Sequence, residues 1–317
     1  MRSLFAVFQK ELADQLGSRR FFIFLLMVGF GGLLASYMAT QAIRSGMLQS
    51  PSQSFVFLQM FLLSEGVLPP FTSFVSFFAP MLGLILTFDA INREKTSGTL
   101  SRLLSQPITR DAVINGKFLA ALVTIAVMLL SILILVIGLG LRILGVPPSF
   151  EEVLRIIAYF GVTLIYIGFW MSLAMLFSIL SRRVATSALA VIAIWIFFAF
   201  FMTIISGAIA DRVAPLKDDV RTNTEEEVLR NVRTQDMIGR ISPLQLYNEA
   251  STTVLHPGVR TLGPVSYSQV AELIPSPLSL RQSLVLVWPH ITSLIAMTLV
   301  SFAISYVVFM RQEIRSL

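Results

Sequence analysis

The sequence contains no cysteine and only two histidines among 317 residues. The chain can therefore form no disulfide and perform no thiol chemistry. Neither His256 nor His290 has a second histidine or a carboxylate at ligand spacing, so we expect no metal site. There is no glycine-rich phosphate loop of the Walker type and no Gly-x-Ser-x-Gly sequence. These absences predict that the chain is not an enzyme and that it has no catalytic residues or cofactor of its own.

Charged residues are also scarce, at 13% of the chain, where soluble domains carry about 25%. The apolar residues instead form six runs that contain no Asp, Glu, Lys or Arg. An α-helix needs about 20 apolar residues to cross a bilayer. The second run is short and contains Pro80, and only three residues separate the fourth from the fifth. We predict an all-α integral membrane protein with six transmembrane helices at 21–40, 71–88, 118–141, 156–180, 184–210 and 284–310.

The basic residues predict the orientation of these spans. With the N-terminus inside, the short inner segments carry 13 lysines and arginines and the short outer segments carry three. Positive charge in short loops stays on the cytoplasmic side. We therefore place both termini in the cytoplasm of a prokaryotic cell, with the chain in its cytoplasmic (inner) membrane. The net charge of +6 then reflects lipid-facing loops, and we expect no nucleic acid partner.

Three segments outside the spans have recognisable patterns. Residues 1–20 place Leu4, Phe5, Phe8, Leu12 and Leu16 on one side, which predicts an amphipathic helix lying in the membrane interface. Residues 55–63 are apolar but too few to cross, which favours an interfacial or re-entrant element.

Residues 211–283 have the composition of a soluble protein. Thr224 with Glu227 predicts a capping box, and Ser242-Pro243 predicts a second helix start. We expect a small helical extracytoplasmic cap.

The loop 89–117 carries a motif that resembles a known family. A glutamate, a Gly-Thr pair, a leucine-rich turn, a proline and a Gly-Lys pair follow one another before the third span. Here these are Glu94, Gly98-Thr99, Leu100 with Leu103-Leu104, Pro107 and Gly116-Lys117. This order resembles the type-2 ABC exporter permeases, and within them the NosY-like branch. The opening Gln9-Lys10-Glu11-Leu12 and the later Ser242-Pro243 with Tyr247 are similar to the same family.

The resemblance implies a single permease domain over 1–317, whose loop 89–117 contains a short coupling helix that docks on a separate ATPase. The residues it implies for this contact are Arg93, Glu94, Gly98, Thr99, Leu100, Leu103, Leu104, Pro107, Lys117, Arg182 and Arg183. For Arg182 and Arg183, plain anchoring of a positive loop explains the sequence equally well. ATP and Mg²⁺ would be bound by two copies of the ATPase subunit, and a second permease, identical or paralogous, would complete the complex.

Spans without ionisable residues argue against a proton- or ion-coupled carrier. We therefore expect an ATP-driven exporter whose energy enters through the cytoplasmic loops. A path between the two permeases is predicted along the second and fifth spans, at Thr72, Ser73, Ser76, Thr186 and Ser187. One alternative is a permease-like subunit that relays ATPase motion to an extracytoplasmic protein bound at 211–283. The other is an ATP-independent channel or carrier.

Overall fold

The computed structural model describes residues 2–45, 55–63, 69–99, 108–216, 224–258 and 277–312. Within these ranges the chain is helical and contains no strand. Six helices are long and apolar enough to cross a membrane, which confirms the predicted all-α membrane architecture. In order the helices are α1 (Arg2–Leu16), α2 (Arg19–Arg44), α3 (Val56–Leu62), α4 (Phe71–Thr87), α5 (Asn92–Thr96), α6 (Arg110–Leu144), α7 (Phe150–Leu180), α8 (Val184–Val213, with a π-helical stretch at Phe197–Phe201), α9 (Glu225–Gly239), α10 (Pro243–Leu255) and α11 (Leu280–Arg311).

The six spans alternate in direction, so the bundle has two distinct ends. The basal end carries α1, the loop after α4 and the last described residue, where Arg110 Nη1 donates to the Gln312 carbonyl at 2.7 Å. The opposite end carries α3, α9 and α10, and there Arg155 Nη1 donates to the Val254 carbonyl at 2.7 Å. The predicted interfacial helix and the predicted cap therefore lie at opposite ends of the spans.

Helix α7 forms the centre of the bundle and packs against α4, α10 and α11. Its side chains Tyr166 and Trp170 are completely buried. In contrast, α8 buries few of its side chains, namely Ser187, Val191 and Trp195 in its first half and Met202, Ser206 and Ala210 in its second half. The remaining apolar surface of α8 would face lipid or another subunit in a membrane.

Helix α3 occupies the segment that the sequence marks as too short to cross. Its Phe57, Met60 and Phe61 are buried inside the opposite end of the bundle, and α3 contacts α2, α4 and α10. The backbone N–H of Phe57 donates to Glu152 Oε1 at 3.0 Å. A helix of seven residues is only about 10 Å long, which is too short to cross a bilayer, and its buried side chains fill the core at this end.

Pro80 does not interrupt the second span, because α4 runs unbroken from Phe71 to Thr87. Proline has no N–H, so the carbonyl four residues earlier loses its helical donor. That carbonyl belongs to Ser76, and the buried hydroxyl of Tyr166 donates to it at 3.1 Å. Helix α7 therefore supplies the hydrogen bond that Pro80 removes from α4.

Helix α1 approaches α6 closely at Gly116. A Cβ added there would lie 2.9 Å from Val7 Cγ1 and 3.3 Å from the Phe8 backbone nitrogen. Val7 is the buried residue of α1, whereas Phe5, which the sequence pattern places on the apolar face, is exposed. Val7 and Glu11, one turn apart, face α6, and the exposed Phe5 lies on the side that the sequence predicts for the membrane interface.

We predict that Gly116→Ala destabilises the protein by about 1–3 kcal/mol, because the added methyl group meets the buried Val7 side chain and the Phe8 backbone nitrogen. The matched control is Gly138→Ala in the same helix, where a Cβ would meet nothing within 4 Å. Alanine there should be neutral or stabilising by up to about 1 kcal/mol, through helix propensity. Thermal denaturation midpoints in detergent measure both, and equal midpoints would contradict the packing argument.

A second prediction concerns the donor to Ser76. Tyr166→Phe should cost about 1–3 kcal/mol, because it leaves a buried carbonyl unsatisfied. The same substitution in a Pro80→Ala background should cost much less, since alanine at that position restores the helical N–H. A double-mutant cycle of denaturation midpoints checks the coupling, and additive effects would show that Tyr166 stabilises the protein in some other way.

Candidate functional site

The loop after α4 forms a compact knob, defined here as residues 88–99, at the basal end. The hydroxyl of Ser178 accepts hydrogen bonds from the Ile91 and Asn92 backbone N–H groups, both at 3.1 Å. Asn92 Nδ2 donates to the Ser181 carbonyl at 2.7 Å, and Ser187 Oγ donates to the Phe88 carbonyl at 2.9 Å. The knob is therefore fixed to the end of α7 and to the beginning of α8.

The knob is also joined to the end of the last span. Lys95 Nζ donates to the Ile179 carbonyl at 2.9 Å and to the Gln312 side chain. Gln312 Nε2 donates to the same Ile179 carbonyl at 3.0 Å. Displacing the knob would thus disturb the basal ends of α7 and α11 together.

A nearly buried ionic cluster links the knob to α1 and α6. Lys117 Nζ lies 2.9 Å from Glu11 Oε1 and 2.7 Å from Glu94 Oε1. The Lys117 side chain is 4% exposed and both carboxylates are 13% exposed. Lys10 Nζ adds a second cation, 3.2 Å from Glu11 Oε1. The cluster thus balances two carboxylates with two ammonium groups.

The electrostatics of the cluster are visible at Glu11. Burial alone would raise the pKa of this carboxyl group. The charges and hydrogen bonds of Lys117 and Lys10 outweigh that effect and hold the pKa of Glu11 below its ordinary value. Glu94 and Lys117 are among the residues predicted from the sequence, whereas Glu11 is not. The signal was present, because Glu11 belongs to the opening segment that shares the family resemblance.

Helix α2 contacts the knob through an arginine. Arg20 Nη1 lies 2.9 Å from Asp89 Oδ2, and the guanidinium lies 5.6 Å from the centre of the Phe88 ring. Between α1, the beginning of α2, the end of α4 and the knob is an open groove of about 700 Å³. The knob thus has a buried side, which contacts the helices, and an exposed side.

The predicted coupling residues fall into three groups. Arg93, Gly98 and Thr99 are exposed on the knob, while Glu94 and Lys117 are tied into the ionic cluster. Arg182 and Arg183 are exposed on the turn between α7 and α8, beside Ser181, to which Asn92 is bonded. Leu100, Leu103, Leu104 and Pro107 lie outside the described residues.

The residues predicted for a path are divided by the structure. Thr72, Ser76 and Ser187 are buried within a single chain, and Ser187 is bonded to the knob. Ser73 and Thr186 are exposed on the bundle surface. The path stays a prediction.

Two further polar clusters lie towards the opposite end, and neither was predicted from the sequence. Arg155 is completely buried, and besides Val254 it contacts Glu151 at 3.0 Å and Ser283 at 3.3 Å. His290 Nε2 lies 2.7 Å from Glu249 Oε2, although 41 residues separate the two in the sequence. Across the described ranges no group of three histidine, cysteine, aspartate or glutamate side chains could hold a metal ion.

Glu249 is held by several partners besides His290. Arg240 Nε and Gln245 Nε2 each donate to its carboxylate at 2.9 Å. Burial would raise the pKa of Glu249, but the hydrogen bonds from His290, Gln245 and Arg240 keep that pKa below its ordinary value. The cluster therefore ties α10 of the cap to α11.

Comparison with known proteins gives matches of one kind. The sequence model of one family, described as "ABC-2 family transporter protein", matches residues 5–314. A relative from Pseudomonas aeruginosa, named "Probable ABC transporter permease protein NosY", is 31% identical over 133 residues, which cover 40% of this chain and 46% of the relative. A protein of the same name from Stutzerimonas stutzeri is 30% identical over 152 residues, 45% of this chain and 50% of the relative. The chain thus spans about half the length of these curated relatives.

We predict that Lys117→Met destabilises the protein by about 3–5 kcal/mol at neutral pH, because it removes the cation shared by two nearly buried carboxylates. The lowered pKa of Glu11 means that its contribution is present above the unfolded pKa, about 4.3, and is lost as the pH falls further. The wild type should therefore lose stability on acidification. The variant should lose less or even gain, since protonation of Glu11 removes a charge that Lys117 no longer balances.

The control for this prediction is the triple variant Glu11→Gln/Glu94→Gln/Lys117→Met, which removes the charges together and should recover most of the lost stability. Denaturation midpoints measured between about pH 3.5 and 7 compare the three proteins. A Lys117→Met variant as stable as the wild type at pH 7 would show that the cluster does not hold the knob.

Proposed function

Because this chain belongs to the ABC-2 family of ABC transporter permeases, we propose that its knob receives mechanical work from a separate ATPase subunit and passes that work to the spans. The observation that carries this proposal is the mounting of the knob. A single short segment is bonded to α1 and α6 through Lys117, to α7 through Ser178, and to α11 through Lys95.

The energetic argument follows from this mounting. An external push moves the spans only if the knob cannot yield on its own. Breaking one partner out of a buried ion pair costs about 3–5 kcal/mol, and the knob makes several further hydrogen bonds to the same helices. Moving the knob together with α1, α6 and α7 therefore costs less than detaching it.

The remaining parts of the proposal rest on the family and on charge. Two ATPase subunits, which bind ATP and Mg²⁺, would pair with two permeases, either identical or paralogous. The basal end carries the excess of basic residues and would face the cytoplasm. Nucleotide binding would favour one of two arrangements of the pair, and the difference in binding energy would drive the change. We propose export of a lipid-like or amphipathic substrate, since the spans offer apolar and hydroxyl side chains.

A second candidate function is a relay to an extracytoplasmic protein. It is favoured by the ties at the opposite end, where Arg155 joins α7 to the cap at Val254 and Glu249 joins the cap to His290 of α11. Motion of α7 and α11 would be carried into the cap. Transport of substrate by the purified complex, without any added external protein, would favour the exporter over the relay.

We predict that Gly98→Val abolishes or strongly reduces co-purification of the ATPase subunit. Gly98 has φ +68°, a left-handed conformation that costs a non-glycine residue about 1–2 kcal/mol. A Cβ there would meet nothing within 4 Å, so the change should redirect the exposed part of the knob without a packing clash. The measurement is the amount of ATPase retained on the tagged permease.

The matched control is Gly145→Val, in the turn between α6 and α7 at the opposite end. Gly145 has φ +71° and likewise has nothing within 4 Å of its Cβ position. Both variants should lose similar, small amounts of stability, and only Gly98→Val should lose the ATPase. If both variants retain the ATPase equally well, the assignment of the knob is wrong. If both lose the ATPase to the same extent, the substitutions cause general misfolding.

A further inference from the structure

The groove beside the knob has an unusual balance of charge. Its walls carry cationic and anionic side chains from α1, α2, the knob and α6. Five are cationic, namely Lys10, Arg19, Arg20, Arg93 and Lys117, and four are anionic, namely Glu11, Asp14, Asp89 and Glu94.

The four acidic groups all have cationic partners within the groove. Glu11 and Glu94 share Lys117. Asp14 lies 3.6 Å from Lys10 Nζ, and Asp89 lies 2.9 Å from Arg20. Of the cations, Arg19 and Arg93 form no ion pair or hydrogen bond through their side chains in the described part of the chain, and both are exposed. Among the described residues, Arg19 and Arg93 are therefore the two guanidinium groups of the groove without an acidic partner, and the five cations exceed the four anions by one charge.

The position of the groove indicates where that anion comes from. Arg19 is the first residue of α2, so it lies where a span enters the membrane interface. The apolar part of the lining includes Ile85 and Leu86, from the last turn of α4. A charged layer next to apolar side chains matches a phospholipid, whose headgroup phosphate adjoins its acyl chains. A soluble anion would gain nothing from the apolar wall.

We propose that this groove binds the headgroup phosphate of an anionic phospholipid from the surrounding leaflet. Guanidinium groups bind phosphate oxygens through paired, charge-assisted hydrogen bonds, which Arg19 of α2 and Arg93 of the knob can supply. The N-terminal end of α2 adds a partial positive charge beside Arg19. A bound lipid would contact α1 and the knob simultaneously, so its presence would stiffen or restrain the knob. The proposal does not depend on the ATPase.

The test is native mass spectrometry of the full chain in detergent, titrated with dioleoyl phosphatidylglycerol. The variant is Arg19→Gln/Arg93→Gln. The matched control is Arg182→Gln/Arg183→Gln, which removes the same charge from exposed positions at the same end, outside the groove. We expect the first lipid to bind at least about tenfold more weakly to the groove variant, from the loss of two charge-assisted contacts. The control should bind nearly as the wild type does.

Further arms distinguish the sources of phosphate. Inorganic phosphate and glycerol 3-phosphate should compete poorly with the lipid, because neither contacts the apolar wall. Effective competition by either would overturn the lipid assignment in favour of a free phosphate site. Equal weakening in the groove variant and the control would also overturn it, by showing only general attraction to positive charge.

The last experiment distinguishes a groove that binds lipid from a groove that binds the ATPase. If the groove variant binds the lipid normally but loses the ATPase, the groove is a protein-docking surface and the proposal fails. Denaturation midpoints confirm that the variants are folded. Arg19→Lys/Arg93→Lys keeps the charge but not the paired geometry, and should recover binding only in part. Capture of the ATPase by the Gly98→Val variant is measured in a separate experiment. Its result tests the proposed function and does not change the interpretation of lipid binding.

Discussion

The basal end of this protein depends on one shared ammonium group. Lys117 lies at the beginning of the third span, almost out of contact with solvent, and two carboxylates from distant parts of the chain converge on it. Burying either carboxylate alone beside the spans would cost much free energy, and burying Lys117 alone would cost much as well. Paired with each other, and with Lys10 beside Glu11, these opposite charges can lie against an apolar bundle. The position of the knob follows from that requirement.

The same requirement explains the other buried polar contacts. Within a membrane, each unsatisfied backbone group costs free energy that water cannot offset. Pro80 creates such a group at the Ser76 carbonyl, and Tyr166 satisfies it from the neighbouring helix. At the opposite end, the guanidinium of Arg155 is buried only because carbonyls, a hydroxyl and Glu151 surround it. These two sets of polar groups each tie together helices that are far apart in the sequence.

This explains which features could be predicted from the sequence. Spans, the capping box at Thr224 and the helix that begins at Pro243 depend on residues close together in the chain, so local patterns suffice. The pairings of Glu11 with Lys117 and of Glu249 with His290 join residues that only the fold brings together, and no local spacing reports them. The burial of α3 was missed for the same reason, since its length excludes a crossing but does not reveal what covers it.

Helix α7 connects the two ends physically. Ser178 holds the knob near its last turn, and Arg155 holds the cap near its first turns. These residues are 23 positions apart, which in an α-helix corresponds to about 35 Å. Most of the side chains between them are buried, including Tyr166 and Trp170, so the helix cannot bend or rotate without disturbing α4 and α10. A displacement of the knob would therefore reach the cap through a single rigid element. The two proposed functions, export and relay, both use this helix. They differ only in what the cap end of the protein contacts.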